Sequence, residues 1–378
     1  MRRALTAAAA AATALLLAAS PAAAHGGKPT PRPPTVTDIA GGLVSPLTLA
    51  AGPRGTTFVT QNFASLLTAV GRDGSTRVLY AGGEGNDVGG VSFSGRTVTF
   101  TETVLAGPQE PVDSMVKTLR VDRNGAPAGP ARTLVDLRAW ENAHNPDGDV
   151  VYGLRDAPQA CLDQFPAEQP GRYTGIQDSH PYATTTRHGT TYVADAGMNA
   201  VVSVSDRGRV RAVAVLPAQP VRVTAEAAAA NGLPDCAVGL TYWFEPVPTD
   251  VEVGPWGQLY VSTLPGGPED DSLGARGAVY RVNPWTGSAR QVASDLLGAT
   301  NVAVSPRGDV FVAELFGGKI SRATHHGNRT VVEAPLPGGL EWHHGDLLAT
   351  TNVLPGEGTP PDGHLVRIDL PRSHGHGR

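Results

Sequence analysis

Hydrophobic and polar positions alternate along most of this chain, and one phrase recurs: a turn glycine, then a run of β-branched and aromatic residues, then a small or polar residue. The first copy reads Gly55-Thr-Thr-Phe-Val-Thr-Gln61, and others span Gly95–Glu102, Gly189–Asp195, Gly257–Thr263, Gly308–Glu314 and, more loosely, Gly345–Asn352. A period of two marks strands with one face turned to each neighbour. Three copies are entered through related turns, Gly52-Pro-Arg-Gly55, Gly254-Pro-Trp-Gly257 and Ser305-Pro-Arg-Gly308, in which proline presets φ and glycine takes dihedrals that other residues avoid. Further short β runs follow each phrase, such as Ala200–Ser205 and Val210–Leu216, so each unit reads as four antiparallel strands.

The turn glycines are separated by 40, 94, 68, 51 and 37 residues. The shortest intervals match the roughly 40–50-residue period of propeller blades, and the long ones carry insertions. The fold expected is all-β, a six-bladed β-propeller over residues 35–370 with four-stranded antiparallel blades. The strand Thr35–Ala40 would close the ring beside Leu365–Asp369. A β-sandwich also has short strands and turns, but it does not predict copies of one phrase. The insertions fall at 138–178 and 218–246, and each carries one of the two cysteines, Cys161 and Cys236. The two pair as a disulfide or remain separate thiols; paired, they fasten the insertions into a lid over one channel mouth.

The ends change the picture of where this fold works. Residues 1–24 read as a signal peptide, with Arg2 and Arg3 ahead of the apolar stretch Ala4–Ala19 and a small-residue site at Ala22-Ala-Ala24. The alternative, a membrane anchor, needs about 20 strongly apolar residues, and this stretch is short and dominated by alanine. Residues 25–34 form a Pro/Gly-rich linker and 371–378 a His/Gly tail. The chain is therefore expected to be secreted, extracellular, without a stable membrane anchor, and monomeric. With 30 basic against 35 acidic residues, the formal charge of −5 argues against a nucleic-acid partner.

Candidate chemistry follows from the phrase. Its last residues are Gln61, Glu102, Asp195, Thr263, Glu314 and Asn352, all bearing oxygen, and Asp250, Asn301 and Tyr182 occupy matching positions one strand earlier. Asp195, Asp250, Asn301 and Glu314 offer oxygens of the kind calcium or magnesium takes; the competing role is to cap strand ends by hydrogen-bonding nearby amides. Glu102, Asp195 and His180 are the candidates for proton transfer. Gln61, Glu102, Thr263, Asn352, Tyr182 and Trp243 are the candidates for ligand contact. There is no Gly-x-Ser-x-Gly elbow, His-Glu-x-x-His motif, phosphate loop or dinucleotide fingerprint.

The runs Ala139–Asp147, Asp178-Ser-His-Pro-Tyr182, Thr191–Asn199, Val247–Val251 and Thr300–Val304 with Phe311–Glu314 resemble the ScyD/ScyE family of exported bacterial propellers. Ser179-His180-Pro181 departs from the family's usual Ser-Asn-Pro. The resemblance covers about residues 40–370 and implies fold and export, since most members have no assigned reaction. The blade phrase is also similar to those of NHL-repeat proteins and sugar-lactone lactonases, and the latter carry a divalent metal in the channel. Two functions are expected: a binding or scaffold protein for a small molecule, glycan or protein, or a metal-dependent lactone or ester hydrolase using channel carboxylates.

Overall fold

The computed structural model describes residues 32–107, 110–268, 272–354, 356 and 358–371. The expected signal peptide, most of the linker and the tail from 372 onward lie outside the described residues. Within them the chain forms four-stranded antiparallel sheets, seven in number, where the recurring phrase led to an expectation of six.

Sheet 1 is built from Leu49–Ala51, Thr57–Gln61, Leu66–Val70 and Thr76–Ala81, and sheet 2 from Val91–Ser94, Thr97–Leu105, Pro111–Arg120 and Arg132–Asp136. Sheet 3 holds Pro181–Arg187, Thr190–Asp195, Ala200–Ser205 and Val210–Val215. Sheet 4 holds Pro248–Val253, Leu259–Thr263, Gly277–Val282 and Ala289–Leu296, and sheet 5 Ala299–Val304, Val310–Glu314, Lys319–Thr324 and Gly327–Glu333. Sheet 6 takes Leu340–His343, Asp346–Thr351 and Gly363–Asp369 from the end of the chain and Thr35–Leu43 from its beginning, paired with Thr35 opposite Asp369 and Ala40 opposite Leu365.

The phrase forms the turn and second strand of each of these six sheets. Its glycine takes a positive φ in every copy, from 63° at Gly95 to 99° at Gly345, a region closed to most side chains. Arg54 and Trp256, ahead of their glycines, are left-handed as well, whereas Arg307 in the third proline-led turn is not.

Successive sheets bury separate apolar layers. Phe58 and Leu67 meet Val98 and Phe100 between sheets 1 and 2; Val116 meets Val193 and Val202 between 2 and 3; Ala183 and Ala194 meet Val251 and Val261 between 3 and 4. Val279 and Leu296 meet Val302 and Val312 between 4 and 5, Ala303 and Phe311 meet Leu340 and Leu347 between 5 and 6, and Leu348 and Leu365 meet Leu49 and Val59 between 6 and 1. The first strands touch in the same cyclic order, with that of sheet 6 returning to that of sheet 1. Alternating side chains feed both neighbouring layers, which is why the phrase is apolar at both parities in its middle.

The first strands have one edge without a strand partner, and in sheets 1, 3, 5 and 6 side chains from the preceding sheet reach that edge or the loop leading into it. Thr101 Oγ1 donates to Pro181 O at 2.8 Å, Thr249 Oγ1 to Ala299 O at 2.9 Å and Thr350 Oγ1 to Pro46 O at 2.6 Å. In the other sense, Val302 N donates to Asp250 Oδ2 at 2.8 Å, Leu340 N to Asn301 Oδ1 at 3.2 Å and Ala51 N to Glu341 Oε2.

The seventh sheet comes from the two insertions. Arg172–Thr174, Val151–Gly153, Thr241–Phe244 and Gln219–Arg222 lie in that order, so the segments expected as lid-like insertions pair with each other as a sheet. Three short helices accompany them: α1 (Leu137–His144), α2 (Gln159–Leu162) and α3 (Ala225–Ala230). Cys161 and Cys236 are bonded across a separation of 75 residues, inside an apolar cluster with Leu154, Val223, Ala228 and Ala237.

Two outcomes test this account. Thr350→Val removes the donor to Pro46 O and the acceptor of Gly339 N and should cost about 1–3 kcal/mol in urea unfolding. Thr359→Val, exposed and bonded only within its own loop, should stay within about 0.5 kcal/mol. Replacing both cysteines by serine removes a closure worth roughly 4 kcal/mol in the chain-entropy account. Amide exchange should then quicken at 151–174 and 219–244 while 190–205 keeps its protection; uniform loosening would contradict a separately fastened insertion sheet.

Candidate functional site

Sheet 3 and the insertion preceding it bring together a group of carboxylates. Asp195, the last residue of its phrase, is wholly buried and uses both oxygens: Oδ2 accepts from Ser179 Oγ at 2.7 Å, and Oδ1 from His180 N at 2.8 Å and Met198 N at 3.1 Å. Glu141 reaches in from α1, also wholly buried, and its Oε2 accepts from Ser179 N at 2.7 Å. Ser179 therefore joins the two carboxylates. Asp147 Oδ2 accepts from Tyr152 Oη at 3.0 Å and Asn199 Nδ2 at 2.9 Å, and Asn199 Oδ1 accepts from Val247 N at 3.2 Å. Glu245, bonded to Tyr173 and Asn199, brings in the second insertion. Gly197 lets Asp178 approach: a Cβ there would lie 2.0 Å from Asp178 O, so only glycine fits.

Five carboxylates thus face one another, with the Arg138 and His180 side chains beside them. Burial pushes Glu141 up to about 8, and the charges of Asp195 and Asp178 add to it while the Ser179 amide opposes it. Burial, then the Asp195 charge, takes Asp178 to about 6; burial, then Asp178 and Asp147, takes Glu245 to about 7. Asp147 and Asp195 are raised by burial as well, against the hydrogen bonds they accept. Glu141 Oε1, Asp147 Oδ1 and Asp178 Oδ1 are buried with no hydrogen-bond partner among the described residues, which suits carboxyls that retain protons.

His180 stands at the edge of this group. Its Nε2 lies 2.8 Å from Asp87 Oδ2 in the loop before sheet 2, and its ring stacks on Tyr182 with centroids 4.5 Å apart. His180, Asp87 and Asp178 are partly open to solvent, whereas Glu141, Asp147 and Asp195 are not. Glu102 fixes the same loop: its Oε1 accepts from Asn86 Nδ2 at 2.8 Å, and its Oε2 from Tyr80 Oη at 2.8 Å and Lys117 Nζ at 2.6 Å. Burial works to raise the Glu102 carboxyl, but these donors hold it below its ordinary range. The three residues expected to move protons, Glu102, Asp195 and His180, are thus linked through Asn86 and Asp87, with distinct tasks. Glu102 and Asp195 anchor loops, and His180 is the one whose side chain is partly open to solvent.

The expected metal set does not converge. Asp250 spends its oxygens on Val251 N and Val302 N, both at 2.8 Å; Asn301 Oδ1 accepts from Leu340 N; Glu314 accepts from Leu297 N at 2.9 Å and from Ser321 Oγ. Asp195 is occupied as described. Among the described residues no three His, Cys, Asp or Glu side chains gather as a metal-holding group. The residues present therefore do not fit a shared divalent cation at those positions, and strand-end capping accounts for all four. Asp250 is nonetheless raised by burial to about 7, and Glu252 and Glu341, also raised by burial, share its neighbourhood on the first strands of sheets 4 and 6.

The expected ligand residues are scattered. Gln61 Oε1 accepts from Val44 N at 2.7 Å and its Nε2 donates to Thr68 Oγ1 at 2.8 Å, so it pins the loop entering sheet 1. Thr263 Oγ1 donates to Ala278 O at 3.4 Å, and Asn352 Nδ2 to Asp362 Oδ2 at 3.5 Å. Trp243 lies in the insertion sheet beneath the Arg155 guanidinium, 4.0 Å from its ring. Tyr182 alone joins His180. Sequence reasoning did not assign roles to Glu141, Asp87, Asp178 or Glu245. Glu141 and Asp178 sit in two of the runs that carried the family resemblance, a usable signal; Asp87, in an irregular loop, had none.

No protein-family model matches the chain, and no curated protein matches it significantly. Solved structures do. The PQQ-bound aldose sugar dehydrogenase of Streptomyces coelicolor superposes with a TM-score of 0.55 at 14% identity, over 90% of this chain and 100% of that one. A Thermus thermophilus oxidoreductase described as a glucose dehydrogenase gives 0.52 at 16% identity, over 89% and 99%. A gluconolactonase of Xanthomonas campestris gives 0.51 at 11%, over 89% of each chain. At these identities the likeness establishes fold, and with the ring of sheets it makes the chain a β-propeller. It does not extend to the ScyD/ScyE family.

The carboxylate group predicts a pH dependence. Glu141 binds its proton more tightly in the fold, at about 8, than at the ordinary 4.5. Its contribution to stability is therefore complete below about pH 4.5 and is lost as pH rises to about 8, on the order of a few kcal/mol. Glu141→Gln keeps the acceptor for Ser179 N and removes the charge, so melting temperature should fall less between pH 5 and 8 than in the parent. An unchanged slope would show that Glu141 does not titrate there.

Proposed function

We propose that this chain is an exported, six-bladed propeller of the ScyD/ScyE type that hydrolyses a lactone or ester beside sheet 3. In this reading sheets 1–6 are the blades, Thr35–Leu43 closes the ring on the sixth, and the insertion sheet flanks the mouth. Export is supported by the Arg2-Arg3 and Ala4–Ala19 pattern and by the Cys161–Cys236 disulfide, and no helix among the described residues is long and apolar enough to cross a membrane.

The observation that carries the reaction is the His180–Asp87 pair, 2.8 Å apart and assembled from the loops leading into different sheets. Asp87 accepts from Nε2–H and sets the tautomer, which leaves Nδ1 to take a proton from water. That water adds to the carbonyl carbon, the bond to the ring or ester oxygen breaks, and the proton passes to the leaving alkoxide, giving a hydroxy acid from a lactone or an acid and an alcohol from an ester. Asp178, two residues away and raised to about 6, offers a second proton carrier. Gluconolactonase and sugar dehydrogenases among the similar folds direct the search toward sugar-derived lactones, though the fold by itself assigns no substrate.

The test is a panel of lactones and aryl esters assayed with and without added calcium and magnesium. Once a substrate is found, His180→Ala should lower kcat/KM by about a hundredfold or more, with Asp87→Asn close behind. Undiminished turnover in His180→Ala would remove the base from this site. If nothing in the panel is turned over, yet a sugar or lactone protects the mouth from proteolysis, the protein binds without catalysis.

A further inference from the structure

Sheet 2 has two unlike faces. Val98, Phe100 and Leu119 pack on sheet 1, while Thr97, Thr99, Thr118 and Arg120 alternate with them and turn toward sheet 3. Thr97 pairs with Arg120, Thr99 with Thr118 and Thr118 with Arg132, so these side chains form one continuous polar patch across three strands. The apolar layer between sheets 2 and 3, from Val116 to Val204, does not extend over this patch. What remains is a cavity of about 560 Å³, with Thr186, Thr191 and Asp206 of sheet 3 on its other wall.

The lining has the chemistry of a recognition site. Thr97, Thr99 and Thr118 present hydroxyls that make no side-chain hydrogen bond among the described residues, while Thr186 and Thr191 are joined to each other at 2.9 Å. Arg120 and Arg132 are exposed and in no ion pair among the described residues, and Asp206 is the one acidic residue in the lining. Two unpaired guanidinium groups suit a carboxylate or sulfate, and free hydroxyls beside them suit a polyhydroxylated body. Neither feature is needed for stability, since burying Val or Ile at the threonine positions would extend the apolar layer.

We infer that the cleft between sheets 2 and 3 binds an acidic oligosaccharide, its charged group on Arg120 and Arg132 and its hydroxyls on the threonine row. The site is separate from the His180–Asp87 pair and stands or falls independently of the hydrolase reading.

Calorimetry on the intact, disulfide-bonded protein decides it, using an oligogalacturonate, a heparin-derived tetrasaccharide, neutral maltotriose and inorganic sulfate as probes. An acidic saccharide should bind, and the stronger of the two acidic probes tells carboxylate from sulfate recognition. Arg120→Gln and Arg132→Gln should each weaken it about tenfold, and Thr118→Val should weaken it without altering the salt dependence. Melting curves of the exposed arginine variants should match the parent, which separates lost binding from lost folding. The inference is overturned if neither acidic saccharide binds, if the arginine variants bind as the parent does, or if sulfate alone or maltotriose binds as tightly.

Discussion

The structure depends on what happens at the unpaired edge of each first strand. A sheet edge presents amides and carbonyls that must be satisfied once they are buried, and in a ring of sheets no further strand can pair there. This chain answers with side chains from the neighbouring sheet: Thr101, Thr249 and Thr350 donate to carbonyls, and Asp250, Asn301 and Glu341 accept from amides. Apolar layers hold the sheets face to face but leave their sliding free. The polar latches set the register between sheets, which lets loops from different sheets arrive within hydrogen-bonding distance of one another.

The loops beside sheet 3 exploit that register. Asp195 holds the loop containing His180, Glu102 holds the loop containing Asp87, and the two loops meet at His180 and Asp87. Glu141 and Asp178 come from the insertion, Glu141 wholly buried and Asp178 partly so. Shielding without enough countercharge raises their proton affinity, and that separates them chemically from Glu102, which Lys117 keeps ionised. The same propeller therefore holds carboxyls of two kinds a short distance apart.

The polar cleft between sheets 2 and 3 shows the converse. Where the alternation places threonine and arginine instead of valine on the face toward the next sheet, the apolar layer ends and a cavity opens. A regular ring of sheets tolerates one such interruption because the five remaining interfaces and the latches still define the register.

Much of this was legible in the sequence. Strand alternation, the glycine turns and the spacing of the phrase identify four-stranded antiparallel units, because each depends on neighbours within a few residues. The phrase-final residues are also picked out, though the oxygens of Asp195 and Glu314 suggested a metal, and that of Gln61 a ligand contact, where the structure shows all three pinning incoming loops. Only the tertiary structure decided that the insertions pair into a sheet, that Asp87 meets His180 across 93 residues of sequence, and that Glu141 and Asp178 lie in the same buried group as Asp195. Side-chain direction and burial arise from packing between distant segments, and no local pattern encodes the dielectric in which a carboxylate will sit.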